Sequence, residues 1–356
     1  MIQVTKPFFP PLDEYQKYLQ QIWKNEWITN NGPFVVDLEK KLKTYLSLDN
    51  LLFVSNGTIA LQIAIKALEL KGEVITTPFS YVATSSSIVW ENCTPVFADI
   101  DPDSFNISPE EIEKKISNNT SAIIATHVFG NPCNVEEIEK IARKHNLKII
   151  YDAAHCFGTK LKGSSIFKWG DVSTASFHAT KIYHSVEGGA LIANDYELVQ
   201  RMEYMRNFGH DGPYKFNGVG INGKNSELHA VMGVLNLKFI SEILAKRKSQ
   251  YFLYKNLLKD LNLQYQVIHE DAEINYSYFP ILFKNEKTTI RINEGLAKEQ
   301  IFARRYFYPS LNTLSFLNGE AQISEDIASR VLCLPLYHLL SKKEQQKIVS
   351  VIRNYI

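Results

Sequence analysis

The stretch Ser176-Phe-His-Ala-Thr-Lys181-Ile-Tyr-His-Ser-Val-Glu187-Gly188-Gly189 places a single lysine in a loop between two segments with the pattern of strands. Residues 172–177 alternate apolar and polar side chains before the loop, and residues 190–193 form an apolar run after it. Loops that follow strands often carry binding or reacting side chains. A lone loop lysine is ordinarily an exposed charge, so the importance of Lys181 depends on what the rest of the chain supplies.

Short apolar runs alternate with longer amphipathic segments from about residue 51 to residue 194. The spacing predicts strands at 51–55, 74–77, 95–98, 122–126 and 148–151, and helices at 57–70, 82–90, 109–116 and 135–145. This alternation predicts an α/β fold with a mainly parallel central sheet and helices on both faces. Ligands of such sheets bind at the carboxyl ends of the strands, where we expect Asp152, residues 55–58 and residues 77–81.

The pattern changes near residue 230, which predicts three parts of the chain. Residues 1–35, rich in proline and aromatic side chains, are expected to form an N-terminal arm that lies over the large domain or a partner subunit. Residues 36–230 are expected to form the large α/β domain. Residues 231–356 contain long helical stretches and a strand-like run at 276–283, which is typical of a smaller C-terminal α+β domain.

The composition argues against several classes of protein. The 39 basic and 38 acidic residues nearly cancel, so nucleic acid binding has little electrostatic support. The four cysteines form no CxxC pair, which disfavours a metal site or disulfide framework and favours buried free thiols in a reducing compartment. Neither a signal peptide nor an apolar run of about 20 residues is apparent, so we expect a cytoplasmic protein without a membrane segment.

Asp152 supplies the group that gives Lys181 a chemical context. It follows the apolar run 148–151, where the ordinary role of an aspartate is to cap a helix. A buried lysine amine forms a Schiff base with an aldehyde, and a carboxylate can keep a pyridine nitrogen protonated. A pyridoxal phosphate enzyme needs both groups. Lys181 and Asp152 together therefore point to pyridoxal 5'-phosphate as the cofactor.

A phosphate site is predicted where the strand at 51–55 gives way to a helix. Gly57 and Thr58 open that helix, and the free N–H groups of a helix N-terminus suit a phosphate. Ser176 adds a hydroxyl. Plain helix capping is the alternative explanation for this short motif. No GxxxxGK[ST] sequence is present, so an ATP-binding P-loop is not supported.

Tyr81 and Asn222 carry weaker signals. Tyr81 follows a predicted strand, where an aromatic ring is suited either to stack on a flat cofactor or to fill the core. Asn222 lies in the glycine-rich segment 218–223, for which turn formation is a sufficient explanation. Neither residue alone indicates a function.

The motif Ser-Phe-x-x-x-Lys followed by Glu-Gly-Gly-Ala resembles that of the DegT/DnrJ/EryC1/StrS sugar aminotransferases, and the similarity spans nearly the whole chain. The resemblance implies an aspartate-aminotransferase-like large domain of fold-type I. It also implies a homodimer with shared active sites. The roles that it implies are covalent cofactor binding by Lys181, pairing with the pyridine nitrogen by Asp152, phosphate binding by Gly57, Thr58 and Ser176, ring stacking by Tyr81, and contact with the partner's cofactor phosphate by Asn222.

His155 departs from the family pattern, which usually has glutamine after Asp-Ala-Ala. The imidazole is able to donate a hydrogen bond to the cofactor's 3-oxygen as the amide would, so we expect the role to be kept. The related sugar dehydratases have histidine at the position of Lys181. Lysine at this position therefore favours transamination over dehydration.

The resemblance also implies the substrates. They are L-glutamate and a nucleotide-linked keto sugar, with the similarity strongest to enzymes that aminate C4 of dTDP-4-keto-6-deoxy-D-glucose. A 3-keto dTDP-sugar or a UDP- or GDP-linked 4-keto sugar is the alternative, and a non-catalytic cofactor-binding regulator is a remote one. The candidate substrate residues are Tyr183, His184, Glu187, Arg304 and Tyr308, for which packing or interface roles are the competing explanation.

Overall fold

The computed structural model describes residues 1–356 and contains fourteen strands, eleven α-helices and three short 3-10 helices. The strands are β1 (Ile2–Gln3), β2 (Leu52–Val54), β3 (Glu73–Thr76), β4 (Thr94–Phe97), β5 (Thr120–Thr126), β6 (Lys148–Asp152), β7 (Lys160–Leu161), β8 (Ser164–Ser165), β9 (Val172–Ser176), β10 (Gly189–Ile192), β11 (Ala272–Glu273), β12 (Pro280–Leu282), β13 (Ile301–Phe302) and β14 (Val331–Cys333). The helices are α1 (Leu12–Asn25), α2 (Pro33–Leu46), α3 (Gly57–Ala67), α4 (Val82–Trp90), α5 (Pro109–Lys115), α6 (Val135–His145), α7 (Tyr196–Met205), α8 (Glu227–Leu257), α9 (Glu286–Lys298), α10 (Gln322–Arg330) and α11 (Lys342–Tyr355).

A seven-stranded sheet in the order β2-β10-β9-β6-β5-β3-β4 forms the centre of the protein. Only β10 runs antiparallel to its neighbours; the other pairs are parallel. The α/β class with a mainly parallel central sheet, predicted from the alternating pattern, is therefore confirmed. The carboxyl ends of β6 and β9, which are adjacent and parallel, lie at the same edge of the sheet.

Helices cover both faces of this sheet, as the side chains of β5 illustrate. Ala122 and Ile124 pack into an apolar cluster with α3 and α7, whereas Ile123 and Ala125 pack into a larger cluster with α2, α6 and α8. All four side chains are fully buried. The continuous apolar run is thus explained by burial on two faces, which is the rule for strands of parallel sheets.

The C-terminal part of the chain forms a separate apolar cluster. The antiparallel pair of β12 and β14 is covered by α9 and α11. β1 pairs in parallel with β13, so the first residues of the chain belong to this part. Helix α8 contributes its first half to the core of the large sheet. Tyr254, in its last turn, and Leu258, directly after its end, belong to the C-terminal cluster. The proposed boundary at residue 230 falls inside this helix, and the division into three parts remains our proposal.

The strand predicted at 276–283 is shorter in the structure. Only Pro280–Leu282 forms a strand, because Tyr276 has a positive φ of 55°. The side chain of Asn275 accepts a hydrogen bond from the Ser277 N–H at 3.1 Å, which forms an Asx turn. A turn at this place competes with strand pairing although the sequence is aromatic and apolar.

Helix α8 is the one helix long and apolar enough to cross a membrane by length and composition alone. Its most apolar 18-residue window has a mean hydropathy of 1.4 and is 50% buried inside the protein. The helix packs against α1, α2 and α11. These contacts describe a core helix, and length and composition are weak grounds for a membrane span.

Glu227 joins the start of α8 to the start of α2. Its carboxylate accepts hydrogen bonds from the N–H groups of Phe34 at 2.9 Å and Val35 at 2.8 Å, and the residue is 1% exposed. A Cβ atom on Gly32 would lie 2.6 Å from the carboxylate carbon, so glycine is required before Pro33. The carboxylate satisfies N–H groups that α2 cannot satisfy within itself.

Replacing Glu227 with alanine is expected to lower the free energy of unfolding by about 1–3 kcal/mol, because two buried N–H groups lose their acceptor. Equilibrium urea unfolding measures the change. Glu344→Ala is the control, since Glu344 accepts a hydrogen bond from the N–H of Ser341 at an exposed helix start. It should cost about 0.5 kcal/mol. Equal losses in the two variants would show that burial at Glu227 has no special effect.

Candidate functional site

Lys181 lies in a loop that connects the antiparallel strands β9 and β10. The Phe177 N–H donates to the Gly188 carbonyl at 2.7 Å, and the Ala179 N–H donates to the Val186 carbonyl at 2.8 Å. The Lys181 N–H donates to the His178 carbonyl at 2.8 Å. These bonds fold residues 177–188 back on themselves, so the position of Lys181 is fixed from both strands.

The two glycines of the loop allow close packing at its base. A Cβ atom on Gly188 would overlap the Ser185 hydroxyl at 2.1 Å. A Cβ atom on Gly189 would lie 2.6 Å from the backbone of Asn56 and 2.8 Å from the Ala175 carbonyl. Any larger residue at Gly189 would therefore push the start of α3 away from the sheet.

The start of α3 presents free N–H groups beside Ser176. Asn56 caps the helix by accepting a hydrogen bond from Ile59 N–H at 2.9 Å, and the N–H groups of Gly57 and Thr58 have no partner in the protein. A Cβ atom on Gly57 would lie 3.0 Å from that of Ser176. Two free N–H groups, a nearby hydroxyl and the positive end of a helix form an arrangement suited to a phosphate.

Asp152 lies at the carboxyl end of β6 and is 7% exposed. Its Oδ1 accepts a hydrogen bond from the Ala154 N–H at 3.1 Å, and its Oδ2 accepts one from the Thr84 hydroxyl at 2.7 Å. Thr84 is itself bonded to Ser80 at 2.9 Å. A buried carboxylate is tolerated here because both of its oxygens are hydrogen-bonded.

His155 is neutral with its proton on Nε2. The Phe129 N–H donates to Nδ1 at 3.2 Å, so Nδ1 acts as the acceptor. Burial first, and the nearby Lys181 second, hold the pKa of His155 well below its usual range. The ring is stacked against Phe307, 5.7 Å between ring centroids with 3° between planes. Its Nε2–H is consequently a fixed donor.

One cavity of about 310 Å³ unites these groups. The predicted site residues that line it are Gly57, Thr58, Tyr81, Asp152, His155, Ser176, Lys181, Glu187 and Arg304. Tyr81 lies at the mouth, with 60% of its surface exposed. Strand ends of the large sheet thus supply one side of the cavity, and the segments at 278 and 304–307 supply another.

Four predicted residues lie outside this cavity. Tyr183 is buried in the core and stacks on Phe157 at 4.1 Å, and His184 is bonded through Nε2 to the Phe8 carbonyl at 2.8 Å. Tyr308 is exposed beneath the guanidinium of Arg305, and Asn222 is exposed. Nothing in these positions brings Tyr183, His184 or Tyr308 into contact with a ligand in the cavity.

Several lining residues were not singled out from the sequence. They are Thr126, His178 and Tyr278. Thr84, which binds Asp152, was missed as well. The spacing Tyr81-x-x-Thr84 at the start of a helix was an available signal, because residues three apart share a helix face. The contact of Thr84 with Asp152 joins residues 68 apart, which no local pattern reveals.

The Lys181 amine has a lowered pKa. Burial is the main cause, and the attraction of Asp152 opposes it without cancelling it. A neutral amine is both a nucleophile and a base, whereas an ammonium ion is neither. The cavity therefore combines a reactive amine, a hydrogen-bonded carboxylate and a helix N-terminus whose first N–H groups have no partner in the protein.

The fold matches solved structures of known type. The crystal structure of DesI in the presence of its TDP-sugar product has a TM-score of 0.94 to this chain at 29% sequence identity. The match covers 99% of this chain and 92% of that one. The aspartate-aminotransferase-like architecture expected from the sequence is thereby confirmed, and fold and site together define an aminotransferase.

The chain belongs to the DegT/DnrJ/EryC1/StrS aminotransferase family, whose model matches residues 12–353. It is 44% identical to a dTDP-4-amino-4,6-dideoxy-D-glucose transaminase of Shigella dysenteriae over 99% of this chain and 98% of that protein. It is 41% identical to the transaminase of the same name from Escherichia coli, again over 99% of this chain and 98% of that protein. The resemblance inferred from the sequence is confirmed.

We expect the Lys181 amine to react with an acylating reagent at a lower pH than the amine of Lys114. Burial lowers the pKa of Lys181, whereas a hydrogen bond to Glu111 raises the pKa of Lys114. Mass spectrometry of cofactor-free protein acetylated across a pH series gives the midpoint for each lysine. A midpoint for Lys181 equal to or above that of Lys114 would contradict the lowered pKa.

Proposed function

We propose that this aminotransferase uses pyridoxal 5'-phosphate to move the amino group of L-glutamate to C4 of dTDP-4-keto-6-deoxy-D-glucose. The products would be dTDP-4-amino-4,6-dideoxy-D-glucose and 2-oxoglutarate. The observation that carries the chemistry is a lysine of lowered pKa in one cavity with a buried aspartate and a free helix start. The choice of sugar is supported by the 44% and 41% identical transaminases.

The residues present fit the cofactor. The free N–H groups of Gly57 and Thr58, with the Ser176 hydroxyl, would hold the phosphate. Asp152 would accept a hydrogen bond from the pyridine nitrogen, and the fixed Nε2–H of His155 would donate to the 3-oxygen. When bound, the cofactor supplies an aldehyde that carries the amino group and a ring that stabilises negative charge.

Lys181 has two roles in the proposal. Its amine would bind the cofactor between turnovers and, once released by the donor, remove the proton from the α-carbon of glutamate. The same amine would later return a proton to C4 of the sugar. Burial favours both roles, because it keeps the amine neutral at a lower pH than an exposed lysine. Asp152, within reach of this amine, limits that shift.

The homodimer belongs to the same proposal. Asn222 is exposed and lies outside the cavity of its own chain, which is consistent with contact to the cofactor phosphate of a partner subunit. Large exposed side chains, among them Tyr81, Trp90 and Tyr214, offer apolar surface for such a partner. A cytoplasmic location is also proposed, and it agrees with four buried free cysteines.

The function is tested with a panel of dTDP-, UDP- and GDP-linked keto sugars and L-glutamate, with the aminated carbon identified by NMR. Amination at C4 of the dTDP sugar is expected. Lys181→Ala should reduce the rate at least about 1000-fold, since nucleophile and base are lost together. Lys160→Ala, which removes an exposed lysine of β7, should be unchanged. Full activity of Lys181→Ala, or preference for another sugar, would refute the mechanism or the substrate, respectively.

The dimer is tested by sedimentation velocity, which should give twice the 40.7 kDa mass of one chain. Asn222→Asp should weaken pyridoxal phosphate binding by about tenfold, because it places a carboxylate near a phosphate. Asn118→Asp makes the same change of charge in an exposed loop remote from the cavity and should have no effect. A monomer, or equal affinities in all three proteins, would contradict shared sites.

A further inference from the structure

Arg304 is the one arginine without a hydrogen-bond partner for its guanidinium. The chain has nine arginines, and the guanidinium groups of the other eight donate to carboxylates or carbonyls. The neighbouring Arg305 pairs with Glu286 at 2.7 Å. Arg304 has no carboxylate within 4.0 Å, although it lines the cavity that contains Lys181.

The backbone fixes Arg304 at the cavity wall. Its N–H donates to the Cys333 carbonyl at 3.1 Å, and its carbonyl accepts from the Cys333 N–H at 2.8 Å. The guanidinium carbon lies 5.2 Å from the centre of the Tyr306 ring. The main chain is thus fixed, whereas the guanidinium is exposed and has no hydrogen bond to give up before it binds a ligand.

Two phenol groups lie beside this guanidinium. Tyr278 and Tyr306 both line the cavity and contact each other edge to face, with 5.7 Å between their centroids. The charge of Arg304 acts on both hydroxyls. A guanidinium and two hydroxyl donors are a combination suited to an oxyanion.

The cavity otherwise disfavours an anionic substrate near the reacting amine. Asp152 and Glu187 place two carboxylates in its wall, and His155 is neutral. The amine of Lys181 is consumed by the chemistry. Arg304 is therefore the permanent positive charge available to offset the repulsion of a carboxylate substrate.

We propose that Arg304, with the hydroxyls of Tyr278 and Tyr306, binds a carboxylate of the amino donor. This inference rests on the proposed function, because it assigns the donor to the same cavity. Both carboxylates of glutamate lie within a short chain of the carbon that gives up the amine. The diphosphate of a nucleotide sugar is separated from C4 by the whole sugar ring, so an arginine in the wall of the cavity that contains Lys181 is better placed to bind the donor.

The test uses succinate, a dicarboxylate without an amino group, which binds but does not react. Calorimetric titration of the protein loaded with pyridoxal phosphate should show succinate binding weakened about 10- to 100-fold in Arg304→Met. Arg304→Lys should recover part of the affinity, since it keeps the charge and loses the planar fork. Arg291→Met is the control, because Arg291 is exposed and donates only to the Ile356 carbonyl.

Rates of the two half-reactions, measured separately, show which of the two substrates binds to Arg304. In Arg304→Met, the rate with glutamate should fall by a factor similar to that for succinate, while the rate of the aminated enzyme with the keto sugar stays within about twofold. Loss with the sugar as large as with glutamate, or succinate binding unchanged in Arg304→Met, would overturn the assignment. Failure of the proposed function would appear separately, as absence of pyridoxal phosphate binding by the wild-type protein.

Discussion

The close approach of α3 to the ends of β9 and β10 is the constraint on which the rest of the site depends. A Cβ atom on Gly57 would lie 3.0 Å from that of Ser176, which is a tight contact, and one on Gly189 would lie 2.6 Å from the backbone of Asn56, which leaves no room for a side chain. Gly189 also pairs with Val54 on one side and Ser176 on the other, so it sets the register of three strands. The same contact therefore brings the free N–H groups to Ser176 and begins the loop that carries Lys181.

Opposing electrostatic effects meet at the centre of the cavity, and their balance decides the chemistry. Burial disfavours the charged form of Lys181, while Asp152 favours it, and burial is the larger effect. Asp152 itself is bonded by a backbone N–H and by Thr84 rather than held by a direct ion pair with the lysine. The carboxylate is thus stabilised by hydrogen bonds that remain when the amine is neutral, and the amine stays free to react.

Local patterns predicted the parts of the fold that local physics determines. Helices α4 and α6 begin and end at the predicted residues, because their apolar spacing and flanking residues agree with the packing. The sheet and the meeting of Asp152 and Gly57 at its edge followed from the rule that strand ends share an edge. The resemblance to the family added Lys181 and Ser176 to the same site. Contacts between distant segments were not predictable in this way. The hydrogen bond from Thr84 to Asp152 and the hydrogen bonds from the start of α2 to Glu227 each depend on tertiary packing.

Two separate parts of the chain line the cavity, and we expect one of them to determine which substrate binds. Lys181, Asp152 and the start of α3 come from the parallel sheet, whereas Tyr278, Arg304 and Phe307 come from segments later in the chain. The later segments contribute to the space and charge offered to a substrate, whereas Lys181 and Asp152 are positioned by the sheet. We therefore expect transaminases with this sheet to share one chemistry and to differ in substrate through residues such as those at 278 and 304–307.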